Sequence, residues 1–554
     1  MLPVQAENKP WFSSWPKDVP KNLEYPKVPL HAILEKTAKE HPEKPAIAYC
    51  EGEITYRELD SLSNQFAGTL SALSVKKGDR VAVFLPNIPQ FIITYFGILK
   101  VGAVLTAISP LHKEREVAYQ LNDSEAETVV ALDSLYPIVK KTWQKTKLKN
   151  AVVTSLENYA PKIAISLSRV GQKPNVYSFQ ELLKEKGTKP PKVNINPKED
   201  MAALQYTGGT TGTAKGAMLT HLNLVSNAIA FAAWIKGGVA QETFLTALPL
   251  FHIYGMTTSM NVPILLAAKM VLLPRFDSTT SLETIQRHKV TVFCGVPTMY
   301  SVLLANPDLG KFDLTSIRVC ISGASPLPPQ IQKKFMQITG GFLAEGYGLT
   351  EASPVTHCNP VDNTMRTVRL GSIGVPLPDT NARIVDVETG EHSLNSGETG
   401  ELAVKGPQVM KGYWKRPDEN ALVLRNGWLS TGDIGKMDQD GYFYITDRKK
   451  DLIKYKDYSV YPREVEDVIY EHPSVKLCAV IGKPSPTVGE IPKAFVVLKE
   501  GAESTEAEIM AFVKEKVAPY KAIREVEFRK ELPISAAGKV LRRMLQEEEK
   551  RKIL

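Results

Sequence analysis

Four stretches of the chain carry residue types that could act on phosphate. The first is Tyr206-Thr-Gly-Gly-Thr-Thr-Gly-Thr-Ala-Lys-Gly216, with four glycines, four threonines and one lysine. Glycines Gly208, Gly209 and Gly212 let backbone amides approach a bulky anion. Thr207, Thr210 and Thr211 add hydroxyl donors, and Lys215 adds a point charge. Such a composition is also that of a flexible surface loop. The flanks favour a phosphate cradle: Met201–Tyr206 and Gly216–His221 read as buried strands entering and leaving the loop, which would hold it in place. It is not a Walker A loop, because no G-x-x-x-x-G-K-[ST] pattern is present and strand character, not helix, follows Lys215.

The second stretch is Glu345-Gly346-Tyr347-Gly348-Leu349-Thr350-Glu351. The Tyr347 face could stack on a purine, and the Glu351 carboxylate could hold Mg²⁺ beside a phosphate; a glycine-rich turn before a helix is the alternative. The third is Ser430-Thr-Gly-Asp433, where an exposed Asp433 could accept hydrogen bonds from two ribose hydroxyls, or simply form a turn. The fourth, Pro533-Ile-Ser-Ala-Ala-Gly-Lys539, places a lysine on a loop from which it could reach a site as a cation, or face solvent at the start of a basic helix.

These stretches need a large scaffold. The chain has 554 residues, more than one core accommodates, so two or more domains are expected. A hydrophobic fraction of 43% with 23% charged residues is that of a globular protein. The net charge of +8 is mild, and no basic run carries interleaved aromatics, so nucleic-acid binding is not expected. Basic clusters such as Lys140 to Lys149 read as solvated faces, with a patch for anionic substrates or peripheral membrane contact as the minority reading. Five scattered cysteines, with no C-x-x-C pair, argue for a reducing compartment and small core residues. The N-terminus lacks a secretory pattern, and Phe91–Ile108, with Lys100 and Gly102 inside it, reads as a buried helix followed by a core strand; a cytoplasmic protein is expected.

Short apolar runs alternate with helical spacing from residue 31 to 131 and again from 244 to 340, which predicts α/β layers. Residues 370–445 change to short strands and many turns, a β-rich subdomain. A compact α+β module follows, with strands in 476–481 and 493–498, a helix over 505–516 and a charged helix from about 539. The division is placed at residue 447, giving a large domain over 1–447 and a small mobile one over 448–554.

Taken in order, the four stretches resemble the acyl-adenylate-forming superfamily, which includes acyl-CoA synthetases, firefly luciferases and peptide-synthetase adenylation domains. Leu248-Pro-Leu-Phe-His252, Ser322-Gly-Ala-Ser325 and Gly441-Tyr-Phe-Tyr-Ile-Thr-Asp-Arg448 extend the resemblance over essentially the whole chain. Tyr461–Glu466, Lys405–Trp414 and Trp15–Pro20 look most like bacterial and archaeal long-chain fatty-acid–CoA ligases.

The resemblance implies that ATP and a carboxylic acid give an acyl-adenylate and pyrophosphate, and that coenzyme A then displaces AMP. It implies that Thr207–Lys215 hold the β- and γ-phosphates, and that Glu345, Gly346, Tyr347 and Gly348 with Gly323 and Ala324 form the adenine and acyl side. Thr350 would contact the α-phosphate, Glu351 the magnesium, and Asp433 and Arg448 the ribose, with Ile445 a further cofactor-binding residue. Lys539 would bridge carboxylate and α-phosphate. Two unit anions 4 Å apart repel by ~4 kcal/mol at an effective dielectric near 20, and a cation between them reverses the sign. Lys450 matches a hinge about which the small domain rotates between half-reactions, and Lys454 the lysine that faces the site afterwards. His252 would act as a wall or gate, not a base. Asp457 departs from the family's usual glycine, beside the expected pantetheine path. Met256 stands where some long-chain members carry an aromatic gate, so short, medium-chain and hydroxy acids stay open, as does a stand-alone enzyme loading a carrier protein. Homodimers are common in the family.

Overall fold

The structure, a computed structural model, describes residues 9–156, 174–184, 190–207, 214–361, 368–456, 458–485, 487–534 and 540–553. Two large sheets grow from the short apolar runs. In one, Arg80–Phe84 lies between Val104–Ala107 and Thr128–Leu132, all parallel. Asn150–Thr154 and Val176–Ser178 extend it on one side, Met201–Thr207 and Lys215–Thr220 on the other. In the second, Thr243–Thr246 lies between Lys269–Leu272 and Val292–Gly295, and Val319–Ser322 and Phe342–Gly348 continue in parallel. Parallel strands are buried on both faces, which explains why the runs are continuously apolar and do not alternate.

The helices between them start where side chains satisfy free backbone amides. Thr55 and Glu58 form a reciprocal capping box for Tyr56–Ala72, as the Thr-Tyr-Arg-Glu spacing predicts. Thr220 and Asn223 do the same for His221–Trp234, so the strand after the glycine loop ends at Thr220 and His221 opens a helix. The helix Pro89–Lys100 is buried along its whole length. Its terminal Lys100 ammonium is held by Asp60, Asn64 and Glu35 at 2.7, 2.8 and 3.1 Å, where a cation also suits the helix dipole. The chain turns at Gly102, φ +72°, into the core strand Val104–Ala107. Among the described residues no helix is long and apolar enough to cross a membrane.

Two of the apolar runs between 244 and 340, Val290–Phe293 and Ile317–Ile321, form strands only from Val292 and Val319 onward. Val290 caps the preceding helix, with its N–H on Ile285 O at 3.1 Å after left-handed Lys289, so the strand begins at Val292. The last helix starts at Arg542, not near 539.

Antiparallel strands Asn381–Val385, Gly400–Lys405, Trp428–Met437 and Phe443–Arg448 make the β-rich sheet. After a single helical turn, Lys449–Asp451, a separate sheet contains Ile453–Tyr455, Val475–Ser485, Gly489–Leu498 and Glu525–Phe528. Its apolar residues cluster apart from the main core. Cys294, Cys320, Cys358 and Cys478 are buried core residues, whereas Cys50 is exposed.

Candidate functional site

The parallel strands Val319–Ser322 and Phe342–Gly348 end side by side, the place where open α/β sheets bind ligands. Gly323 and Ala324 follow the first; Gly323 N–H donates to Gly295 O at 3.1 Å, and Ala324 turns through φ +71°. Glu345, Gly346, Tyr347 and Gly348 lie on the second, which pairs with Val355–Cys358 on its other edge. A Cβ on Gly348 would lie 2.2 Å from Pro354 O, so the close approach of the two backbones requires glycine there.

Tyr347 reaches across to the β-rich sheet, where its hydroxyl donates to Asp433 Oδ2. Asp433 sits opposite Arg448 in the strand pairing, and Arg448 Nε donates to Asp433 Oδ1 at 2.7 Å. Asp433 is therefore not the exposed aspartate expected from Thr-Gly-Asp: it is 2% exposed, inside a strand, with both carboxylate oxygens engaged. Burial and the Asp433 charge push the Tyr347 phenol well above its ordinary range, so it remains a donor. The Asp433 charge, against the cost of burial, holds Arg448 firmly charged. Ile445, half-buried on the same strand, is opposite Gly435.

Thr350 and Glu351 lie in the short helical turn Thr350–Ala352 beyond Gly348. Glu351 Oε1 accepts the Tyr413 hydroxyl at 2.6 Å. Tyr413 also lies under Lys215, whose Nζ is 5.4 Å from the ring centroid. Lys215 ion-pairs with Glu419, and Thr207 faces Lys215 across the hairpin that flanks the glycine loop. Among the described residues no group of three or more His, Cys, Asp or Glu side chains could hold a metal. Glu351 thus offers one hard carboxylate, which fits Mg²⁺ bound by one or two carboxylates with phosphate oxygens and water.

Burial pushes the Glu345 carboxyl up to about 8, only partly offset by a hydrogen bond from the Leu327 backbone and the Arg463 charge, so it is largely neutral at pH 7. His252 Nδ1 accepts Tyr254 N–H at 3.2 Å and caps a short helix. Met256 beside it is fully buried. Lys450, in the turn after Arg448, is lowered to about 8 by burial and by Arg448. Lys454 is exposed on Ile453–Tyr455, with its backbone N–H on Glu490 Oε2 at 2.9 Å. Gly208–Gly212, Asp457 and Lys539 lie outside the described residues.

Glu419, Arg416 and Asp123 were not singled out from sequence. Arg416 Nη2 binds Asp123 Oδ1 at 3.0 Å, and Asp123 Oδ2 accepts the Tyr206 hydroxyl at 2.6 Å. The run Gly-Tyr-Trp-Lys-Arg-Pro-Asp-Glu over 412–419 carried the signal, since it packs four charged residues beside two aromatics.

The AMP-binding enzyme family matches residues 34–414, and the AMP-binding enzyme C-terminal domain matches 464–539. The chain belongs to the AMP-binding enzymes. It is 44% identical to a long-chain-fatty-acid–CoA ligase of Bacillus subtilis strain 168, covering 98% of both chains. It is 37% identical to one of Escherichia coli O157:H7, covering 98% of this chain and 99% of that one. A solved structure of ATP-bound MatB from Rhodopseudomonas palustris superposes with a TM-score of 0.83 at 31% identity, over 95% of this chain and 99% of that one.

Proposed function

We propose that this chain is an ATP-dependent, AMP-forming acyl-CoA synthetase whose acid is a long-chain fatty acid. The observation that carries the reading is the convergence, at the ends of two parallel strands, of a cation-bearing loop hairpin, a lone carboxylate and the Tyr347–Asp433–Arg448 triad. The substrate class rests on the relatives, which are named for long-chain fatty acids and match almost end to end.

In this reading Lys215 and the glycine loop bind the β- and γ-phosphates, and Thr350 orients the α-phosphate. Tyr347 walls the adenine, while Asp433 and Arg448 hold the ribose side through hydrogen bonds that the ion pair orients. Glu351 would hold Mg²⁺, which when bound neutralises phosphate charge. Lys539 would bridge carboxylate and α-phosphate, where its charge would favour attack of one on the other. The acyl oxygen–phosphorus bond forms as the bond to pyrophosphate breaks; the thiolate of coenzyme A then displaces AMP. We assign the two domains to 1–447 and 448–554 and the hinge to Lys450, with Lys454 serving the thioester step after rotation. The separate core of the C-terminal sheet and the short link support this division.

ATP–pyrophosphate exchange over acids from acetate to palmitate tests the reading, with Lys539→Ala as control. The expected result is greatest exchange with a long-chain acid, a loss of about 100-fold or more in the variant, and CoA thioester without any added protein. Full exchange in Lys539→Ala, or product only with a carrier protein, would overturn it.

A further inference from the structure

Lys215 is already engaged by an anion of the protein itself. Glu419 lies in the helix Pro417–Val423, directly after the strand Gly412–Tyr413. This segment is strapped to the loop hairpin: Gly412 pairs with Met218, Tyr413 with Ala217, and Trp414 N–H donates to Gly216 O at 2.8 Å. Glu419 is thereby carried to the lysine by backbone bonding, not by a wandering surface side chain. It is held from a second side, since Arg416 Nε is 3.9 Å from its Oε1 while Nη2 of that guanidinium is anchored on Asp123.

A carboxylate at this lysine takes the position that an anionic phosphate oxygen needs. Lys215 and Glu419 side chains are 27% and 32% exposed, open enough for an incoming polyanion to compete. An ammonium has three donors and no acceptor, so its affinity for phosphate is set against what it leaves behind.

We propose that Glu419 is a positioning residue for Lys215: it holds the ammonium at the loop, yields it to the terminal phosphates of ATP, and recaptures it as pyrophosphate leaves. The inference rests on the assignment of Lys215 to phosphate above. Glu419 therefore weakens the ground-state grip on ATP and pyrophosphate and speeds release of the product anion. The same strap also holds Glu351 through Tyr413, so both charged ends of the nucleotide site are kept in place by one segment.

The test is direct binding of ATP and of pyrophosphate by calorimetry to the full chain, without acid or CoA, alongside exchange kinetics. Exposed pairs of this kind are worth roughly 0.2–1 kcal/mol, so Glu419→Gln should lower Kd for both ligands by up to about fivefold. KM for ATP should fall together with kcat, because pyrophosphate leaves more slowly. Glu419→Asp, which keeps the charge, should lie near the wild type, and the Glu419→Gln effect should vanish in a Lys215→Ala background. Unchanged or weaker binding in Glu419→Gln, or the same shift without Lys215, would overturn the proposal while leaving the enzyme assignment intact. Failure of the wild type to bind ATP would sink both. Glu419 is half-exposed on a surface helix, and Glu419→Ala serves as a second reading should the glutamine variant fold poorly.

Discussion

Two buried glutamates, one on each side of the Lys449–Asp451 link, solve the problem of a carboxyl away from water in opposite ways. Glu345, in the large part of the chain, is 6% exposed, and burial pushes it up to about 8. It becomes neutral. Glu549, on the last helix, is 1% exposed; burial would raise it too, but hydrogen bonds from Lys552 and Lys493, at 2.7 and 2.9 Å, outweigh that and lower it. It stays ionised. Lys493 in turn binds Glu527 at 2.8 Å, so the C-terminal helix is riveted to its own sheet by a charge network. The C-terminal part is thus charge-paired within itself. Among the described residues its links to the rest include Lys449 to Glu401 at 2.8 Å and Arg463 N–H to Asp447 Oδ2 at 2.8 Å. A unit paired so fully within itself would keep its fold if it turned on the Lys449–Asp451 link, as proposed above.

Asp433 shows that the large part also pairs a buried carboxyl with a cation, and disturbing it should have the largest effect. It is as buried as Glu345 but keeps its charge partner, Arg448, at the last strand residue before the link. Asp433→Asn removes the charge that orients Arg448 and the oxygen that Tyr347 donates to. Unpairing such a charge costs on the order of 1–3 kcal/mol, so ATP affinity should fall about 10- to 100-fold with the fold intact. Calorimetric titration with ATP, beside circular dichroism, measures both. Unchanged affinity would reduce Asp433 to a purely structural residue.

The next effect tests the network. Glu549→Gln should destabilise the C-terminal part by roughly 2 kcal/mol, since Lys493 loses one partner and keeps Glu527. ATP binding should not change. The pH sign is that of a lowered carboxyl: its contribution is present above the ordinary value of 4.5 and is lost as pH falls below it. Hydrogen exchange localised to Val475–Ser485 and Gly489–Leu498 reads the loss; loosening spread equally over the large sheets would deny the separateness of the two parts.

Much of this arrangement was legible in the chain because it is local. Thr55 and Glu58 announce a helix start within four residues, and the apolar runs at 80–84 and 128–132 announce buried strands. The strands that flank the glycine loop, Met201–Thr207 and Lys215–Thr220, were legible from their apolar runs. What could not be read was pairing across distance. Asp433 looks like an exposed turn residue until Tyr347, 86 positions earlier, and Arg448, on the next strand, close over it. Glu419 reads as an acidic residue in a helix's first turn, the commonest place for one; only the strap across Lys215–Thr220 turns it toward Lys215, 204 positions away. The division near 447 followed from a change of pattern, whereas the charge network behind Glu549 joins residues that look like ordinary solvated faces.

The smallest effect sharpens the contrast between the two glutamates most directly. Glu345 has a raised pKa, so between about 4.5 and about 8 the native state holds a proton that the unfolded chain releases. Stability therefore falls as pH rises through that window, the reverse of the Glu549 case. Glu345→Gln keeps the shape and an acceptor for the Leu327 backbone but has no proton to lose. Relative to the wild type it should be nearly neutral at pH 5 and gain on the order of 1 kcal/mol by pH 8, after discounting for relaxation around the charge. Melting temperatures of the two proteins across pH 5–9 give the measurement. A difference that is flat with pH would mean that Glu345 is ionised in the native state, and the two halves of the molecule would then treat their buried carboxyls alike.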